Sequence, residues 1–141
     1  EPQASIFEKE GKGYVIASFG VESGRLPYTV FMAKRSYIGK NKETVQKFTN
    51  AITKAQRWVE DQPAGEIADA VLGFFEGTDR DIAVRVVERY KSQQSYAVGG
   101  VIDEEEWNNL LDIMEQAGEI KERTPSDAIV DNSFAEKALS R

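Results

Sequence analysis

The chain has 141 residues, of which 40 % are hydrophobic and 30 % are charged, and its formal charge is -6. This composition is typical of a folded globular domain, and the negative charge with interspersed basic residues argues against binding to nucleic acid. Because the chain contains neither cysteine nor histidine, disulfides, imidazole metal ligands and the usual Ser-His and Cys-His catalytic pairs are excluded, and we expect no enzyme activity, no metal and no cofactor.

The N-terminal third predicts one helix and two strands. A helix is expected between Glu1 and Gly13, because glycine commonly ends a helix. Residues 14–19 are largely β-branched and aromatic, which predicts a first strand. Residues 28–33 predict a second strand, because Pro27 favours extended geometry just before them and nearly all of them are apolar.

The rest of the chain, residues 39–141, predicts a layer of amphipathic helices. Apolar residues recur at steps of three and four from Val45 to Val59, and two further helical patterns lie on either side of Gly77. Asp103, three residues ahead of a glutamate, predicts the start of another helix. The predicted fold class is therefore α/β and helix-rich, with two strands followed by a layer of helices.

Several side chains are candidates for binding a ligand. Tyr28 and Thr29 lie where a loop enters the second predicted strand, and ligands collect around such strand ends in open α/β proteins. A Tyr28 hydroxyl satisfied near the core is an equally good interpretation. Arg25 could pair with an anionic solute, although an exposed loop arginine is the simpler interpretation. Trp58 and Trp107 could each stack on a ligand, but their helical spacing favours a place in the core.

Two other patterns carry no specific ligand chemistry. The glycines between residues 11 and 24 lack the spacing of dinucleotide-binding and phosphate-binding loops. The acidic run 104–106 could offer carboxylates to a hard cation, but it lacks the spaced acids and the central glycine of a calcium loop. Helix capping is the favoured interpretation of this run.

The order of these segments resembles one protein family. Gly-Tyr-Val-Ile-Ala-Ser at 13–18, Leu-Pro-Tyr-Thr-Val-Phe-Met-Ala at 26–33 and Asn-Lys-Glu-Thr-Val at 41–45 follow one another. This order is similar to that in the nitrate/sulfonate/taurine-type solute-binding proteins of bacterial ABC importers, which include binders of pyrimidine precursors of thiamine. The stretch 107–118 and the pair at 134–135 resemble the C-terminal helices of that family.

The resemblance implies a place for each segment in a type II periplasmic-binding fold, which has two lobes joined by a hinge. Residues 1–24 would form the end of the second lobe, 25–38 the hinge crossing and its strand, and 39–141 the helical C-terminal part of the first lobe. The site residues implied by the resemblance are Glu1, Tyr28 and Thr29 for ligand binding and Gly24, Leu26 and Pro27 for the hinge.

The function implied by the resemblance is that of an extracytoplasmic solute-binding component of an ABC importer, or a C-terminal fragment of one, in the periplasm or at the cell surface. Its partners would be a small solute, such as a sulfonate, nitrate or a pyrimidine, and the ABC permease in the membrane. Because two strands rarely form a stable sheet, we expect a homodimer or a missing N-terminal half to complete it. The alternative is a non-enzymatic helical interaction module or self-associating domain.

Overall fold

Short helices joined by loops make up most of the structure, a computed structural model that describes residues 1–140. The helices predicted from the apolar periodicity after residue 40 are confirmed, whereas two short helices, α2 and α3, were not predicted. The helical segments are α1 (Gln3–Lys9), α2 (Phe19–Glu22), α3 (Arg35–Lys40), α4 (Lys42–Asp61), α5 (Ala64–Val71), a 3-10 turn (Leu72–Phe74), α6 (Arg80–Ser92), α7 (Glu104–Gln116), α8 (Ser126–Ile129) and α9 (Ser133–Leu139).

The predicted α/β fold class is wrong, because none of residues 1–140 forms a β-strand. The two-strand type II periplasmic-binding fold is therefore not the structure that is observed. Residues 14–18 and 28–33 are loops, and Ile16 and Met32 in them are 98 % and 89 % exposed. A strand needs a neighbouring strand for its backbone groups and a packed face for its side chains. Within the described residues, neither segment has such a neighbour.

The contacts along the chain define two compact units. Unit 1 contains Glu1–Glu22 and Gln56–Val98, and unit 2 contains Ser23–Ala55 together with the chain from Gly99 onward. Helix α4 contributes its first part to unit 2 and its last part to unit 1. These boundaries differ from those of the segments 1–24, 25–38 and 39–141, whose assignment to lobes stays a prediction.

The core of unit 1 lies between α5 and α6. Ile67 and Ala68 of α5 pack with Ala83 and Val87 of α6, and all four are buried. These residues belong to the apolar stripes that the sequence predicts, so the inward faces of both helices are confirmed. Ala68 is fully buried, and its small side chain suits a position where two helices approach closely.

Lys91 holds the C-terminal end of α4. Its Nζ donates hydrogen bonds to the carbonyl oxygens of Val59 (2.9 Å), Glu60 (3.0 Å) and Gln62 (2.6 Å). The last carbonyls of a helix have no partner within the helix, and a cation is favourable at this negative end of the helix dipole. One side chain of α6 therefore caps the preceding long helix.

Polar contacts fix the start of a helix and a loop in unit 2. The Asp103 side chain accepts a hydrogen bond from the Glu106 N–H at 2.8 Å, which confirms the predicted start of α7. The Asn132 amide donates to the Ile102 carbonyl (2.8 Å) and accepts from the Ile102 N–H (3.0 Å).

Gly99 has φ +98°, and a Cβ there would lie 2.8 Å from Leu139. This position therefore suits glycine for both conformation and space.

We expect Lys91→Met to lower the free energy of unfolding by about 1–3 kcal/mol, because the α4 carbonyls lose a charge-assisted donor while the apolar stem is kept. Urea denaturation followed by helical circular dichroism measures this loss. Lys54→Met removes a lysine from the exposed face of the same helix, and its effect should stay within about 0.5 kcal/mol. Equal losses in the two variants would contradict the capping role of Lys91.

Candidate functional site

The loop that contains the predicted hinge residues is attached to helix α7. Asn109 Nδ2 donates to the carbonyl oxygens of Ser23 (2.7 Å) and Arg25 (2.8 Å), the two neighbours of Gly24. Gly24 has φ +68°, and a Cβ at this position would lie 3.4 Å from the same amide nitrogen. Glycine therefore fits both the backbone conformation and the close approach of the Asn109 side chain.

Arg25 is an exposed loop arginine. This confirms the simpler of the two interpretations of Arg25 from the sequence. Its guanidinium pairs with Glu106 Oε1 at 2.6 Å, and the Glu106 side chain is only 12 % exposed. The sequence gives no local signal for this pair or for the Asn109 contacts, because more than 80 residues separate the partners. Asn109 and Glu106, both on α7, thus hold the predicted hinge loop, and the sequence does not identify either contact.

Tyr28 and Thr29 lie together at the surface of unit 2. Tyr28 is 90 % exposed, which rules out the interpretation that its hydroxyl is satisfied near the core. Its N–H donates to the Leu26 carbonyl at 2.9 Å, so the chain turns tightly just before the two candidate ligand residues. Leu26 and Pro27 are half-buried. Both hydroxyl side chains are therefore accessible to a ligand.

Glu1, the third predicted ligand residue, belongs to unit 1 and contacts the protein itself. Its carboxylate accepts a hydrogen bond from Arg89 at 2.6 Å and another from the Ser5 N–H at 3.1 Å. The same Arg89 also pairs with Glu8. Among the described residues, the fully buried Ser5 Oγ has no hydrogen-bond partner. Glu1 is thus part of a mostly buried charge cluster, which we call the Arg89 cluster.

The Arg89 cluster changes the titration of Glu8. The Val15 N–H donates to Glu8 Oε1 at 2.9 Å, and this bond and the neighbouring Arg89 lower the pKa of Glu8 below its ordinary value of 4.5. Both contacts favour the charged carboxylate over the neutral acid. The loop that contains Val15 is thereby attached to helix α1.

Large apolar side chains are exposed on one short segment of each unit. In unit 1 these are on residues 14–19, and in unit 2 on residues 28–33. One partial contact exists, since the Phe31 ring meets the Phe48 ring of α4 edge to face at a centroid distance of 4.8 Å. Exposed apolar surface of this kind commonly marks a contact with another protein segment.

Two structural features are absent from residues 1–140. The described side chains include no group of three or more acidic residues placed to hold a metal ion. In the same part of the chain, no helix combines the length and the apolar character that are needed to cross a bilayer.

Comparison with known proteins gives one strong similarity. No protein-family model matches the chain, and no solved structure matches it. The chain is 49 % identical over 140 residues to a protein of Bacillus subtilis (strain 168) named "Putative binding protein YtlA", and the match covers 99 % of the chain. It covers 42 % of that relative, so the chain spans less than half of the relative's length. The relative's name agrees with a binding role in general terms.

We expect the stabilising effect of the Glu8 charge to depend on pH. Because the pKa of Glu8 is lower in the folded chain than its ordinary 4.5, the stabilisation is complete above the unfolded pKa and is lost as the pH falls through the folded pKa. Glu8→Gln should therefore destabilise at pH 6 and have progressively less effect as the pH falls below about 4.5.

Chemical denaturation of wild type and variant across this pH range measures the difference in the free energy of unfolding. Glu22→Gln, which removes an exposed carboxylate from the same unit, serves as the matched control and should have little effect at any pH. A Glu8→Gln effect that does not change with pH would contradict the role of Arg89 and Val15.

Proposed function

We propose that the chain is part of the extracytoplasmic solute-binding component of an ABC importer and works in the periplasm or at the cell surface. The observation that carries this proposal is the 49 % identity, over nearly the whole chain, to the relative named "Putative binding protein YtlA". The order of segments 13–18, 26–33 and 41–45, which resembles the nitrate/sulfonate/taurine-type family, supports it. The ligand would be a small solute such as a sulfonate, nitrate or a pyrimidine, and the partner the membrane permease.

The loop around Tyr28 supports a role in binding that solute. The exposed Tyr28 and Thr29 hydroxyls can each donate and accept a hydrogen bond, and the neighbouring side chains are apolar. A few polar groups on an apolar surface are typical of sites for small molecules. In this proposal, the two hydroxyls orient the solute.

The segment of Gly24, Leu26 and Pro27 is suited to a hinge in the same proposal. Gly24 has a positive φ, and glycine can change its backbone angles at little steric cost. Asn109 bonds the carbonyls on both sides of Gly24, so it would stabilise one of the hinge conformations. Closure of lobes about such a position, rather than catalysis, would be the mechanism.

The exposed apolar segments 14–19 and 28–33 are the proposed contacts with the remainder of a longer binding protein. Burying apolar surface gains about 25 cal/mol per Å², so a covering segment would stabilise these loops. The relative contains more than half of its length outside the matched part, which is enough chain to supply that cover. The same apolar surface also favours the second candidate, a self-associating helical module.

We expect a specific solute to raise the melting temperature of the longer protein, because a ligand that binds only the folded state stabilises it. A thermal-shift panel of taurine, nitrate and a hydroxymethylpyrimidine identifies the solute class. Tyr28→Ala should then weaken binding roughly tenfold by removing a hydrogen bond and an aromatic contact.

Phe74→Ala is the matched control for that experiment, because Phe74 is an aromatic residue of comparable exposure that lies in unit 1 and outside segments 14–19 and 28–33. Its solute affinity should stay close to that of the wild type. The proposal fails if no solute class shifts the melting temperature, and the assignment of Tyr28 fails if its variant binds as tightly as the control.

We also expect the separately produced remainder of the longer protein to bind this chain and to slow amide exchange in segments 14–19 and 28–33. Met32→Lys should weaken this association, because a charge would be buried without a partner. Val98→Lys changes an exposed apolar residue outside both segments and is the control. Light scattering that shows a stable homodimer, with no binding of the remainder, would instead favour the self-associating module.

A further inference from the structure

Unit 2 contains a groove of about 360 Å³ between helix α7 and the segment that follows it. One wall is a face of helix α7 that includes Glu104, Trp107 and Leu111, and the other is the segment 123–127. None of the predicted solute or hinge residues lines it. The groove is therefore a separate candidate site.

The walls of this groove are held by contacts within the protein. Trp107 Nε1 donates to the Thr124 carbonyl at 2.9 Å, which joins the two walls and fixes the indole ring. Leu111 is buried beneath them. Arg123 Nη2 pairs with Glu115 at 2.6 Å and also with Asp112. Because its N–H group is already engaged, the indole offers the groove its aromatic carbon surface.

The uncompensated charge of the groove is negative. The guanidinium of Arg123 is matched by Asp112 and Glu115, neither of which lines the groove. Glu104 and Asp127 do line it, and within the described residues neither carboxylate has an ion-pair partner. An aromatic surface with two free carboxylates is chemically complementary to a cation.

One guanidinium group of the chain already pairs with a carboxylate in the first turn of α7. Glu106, in the same first turn as Glu104, pairs with the guanidinium of Arg25 at 2.6 Å. The positive end of the α7 dipole therefore does not prevent a guanidinium from binding to these carboxylates. A guanidinium also stacks on aromatic rings and gives up its hydration more readily than an ammonium group.

We propose that this groove binds a guanidinium group, which stacks on Trp107 and donates hydrogen bonds to Glu104 and Asp127. The group could belong to a free small molecule or to an arginine side chain of a partner protein, since the groove would recognise the same planar cation in both. The proposal is independent of solute binding at Tyr28.

The two tryptophans of the chain make the test direct, because Trp58→Phe leaves Trp107 as the sole fluorescent indole. Arginine amide should change the Trp107 emission saturably, with a Kd on the order of 1 mM as suits one exposed cation site. Citrulline amide has nearly the same shape and the same α-amino group but lacks the guanidinium charge, and it should bind at least about tenfold more weakly. Equal binding of the two compounds, or no saturable change with arginine amide, overturns the proposal.

Paired variants test the carboxylates. Glu104→Gln with Asp127→Asn should weaken arginine amide binding at least about tenfold, because both charges facing the cation are lost. Glu105→Gln with Glu119→Gln removes the same total charge from unit 2 outside the groove and should change the affinity less than about twofold. Helical circular dichroism checks that both variants are folded. Equal losses in the two pairs overturn the assignment.

A blocked glycine-arginine-glycine peptide distinguishes the two sources of the guanidinium. Tighter binding of the peptide than of arginine amide supports an arginine side chain of a partner protein. Equal or weaker binding of the peptide, together with saturable binding of arginine amide, supports a free small molecule.

Discussion

A helix satisfies its backbone hydrogen bonds within one segment, whereas a strand depends on a neighbour, and this difference governs the structure of the chain. Helix α4 forms over 20 residues, and α5 and α6 follow it and pack against each other. Segments 14–18 and 28–33 contain residues that favour strands, yet they are loops with exposed apolar side chains. Their composition suits a packed surface that residues 1–140 do not supply.

Long-range bonds from side chains to the backbone organise the parts that helices leave irregular. Lys91 holds the end of α4, Asn132 holds the loop at Ile102, and Asn109 holds the loop at Gly24. Each of these side chains offers donors to carbonyl groups that lack a partner in regular structure. The loop around Gly24 is therefore positioned by the Asn109 amide together with the Arg25–Glu106 ion pair, and both Asn109 and Glu106 belong to α7.

The acidic first turn of α7 shows how one short run can serve several purposes. Asp103 caps the helix, Glu106 pairs with Arg25, and Glu104 lines the groove beside Trp107. The sequence predicts the cap because capping depends on residues three apart. It does not predict the other two roles, because the partners of these side chains come from distant parts of the chain. The same reason explains why Glu1, a predicted ligand residue, is engaged by Arg89.

The sequence by itself determined the long helices after residue 40, the inward faces of α5 and α6 and the start of α7, since each depends on residues within one or two helical turns. It also determined the similarity to the Bacillus subtilis relative and the absence of cysteine and histidine. It did not determine the buried positions of α4, where Gln46 and Thr53 are buried while Phe48 of the apolar stripe is 44 % exposed. Only the tertiary structure decided that segments 14–18 and 28–33 are not strands, that Tyr28 is exposed and that Trp107 lines a charged groove. These properties depend on which distant groups meet, and a local pattern contains no information about a neighbour that is present or absent.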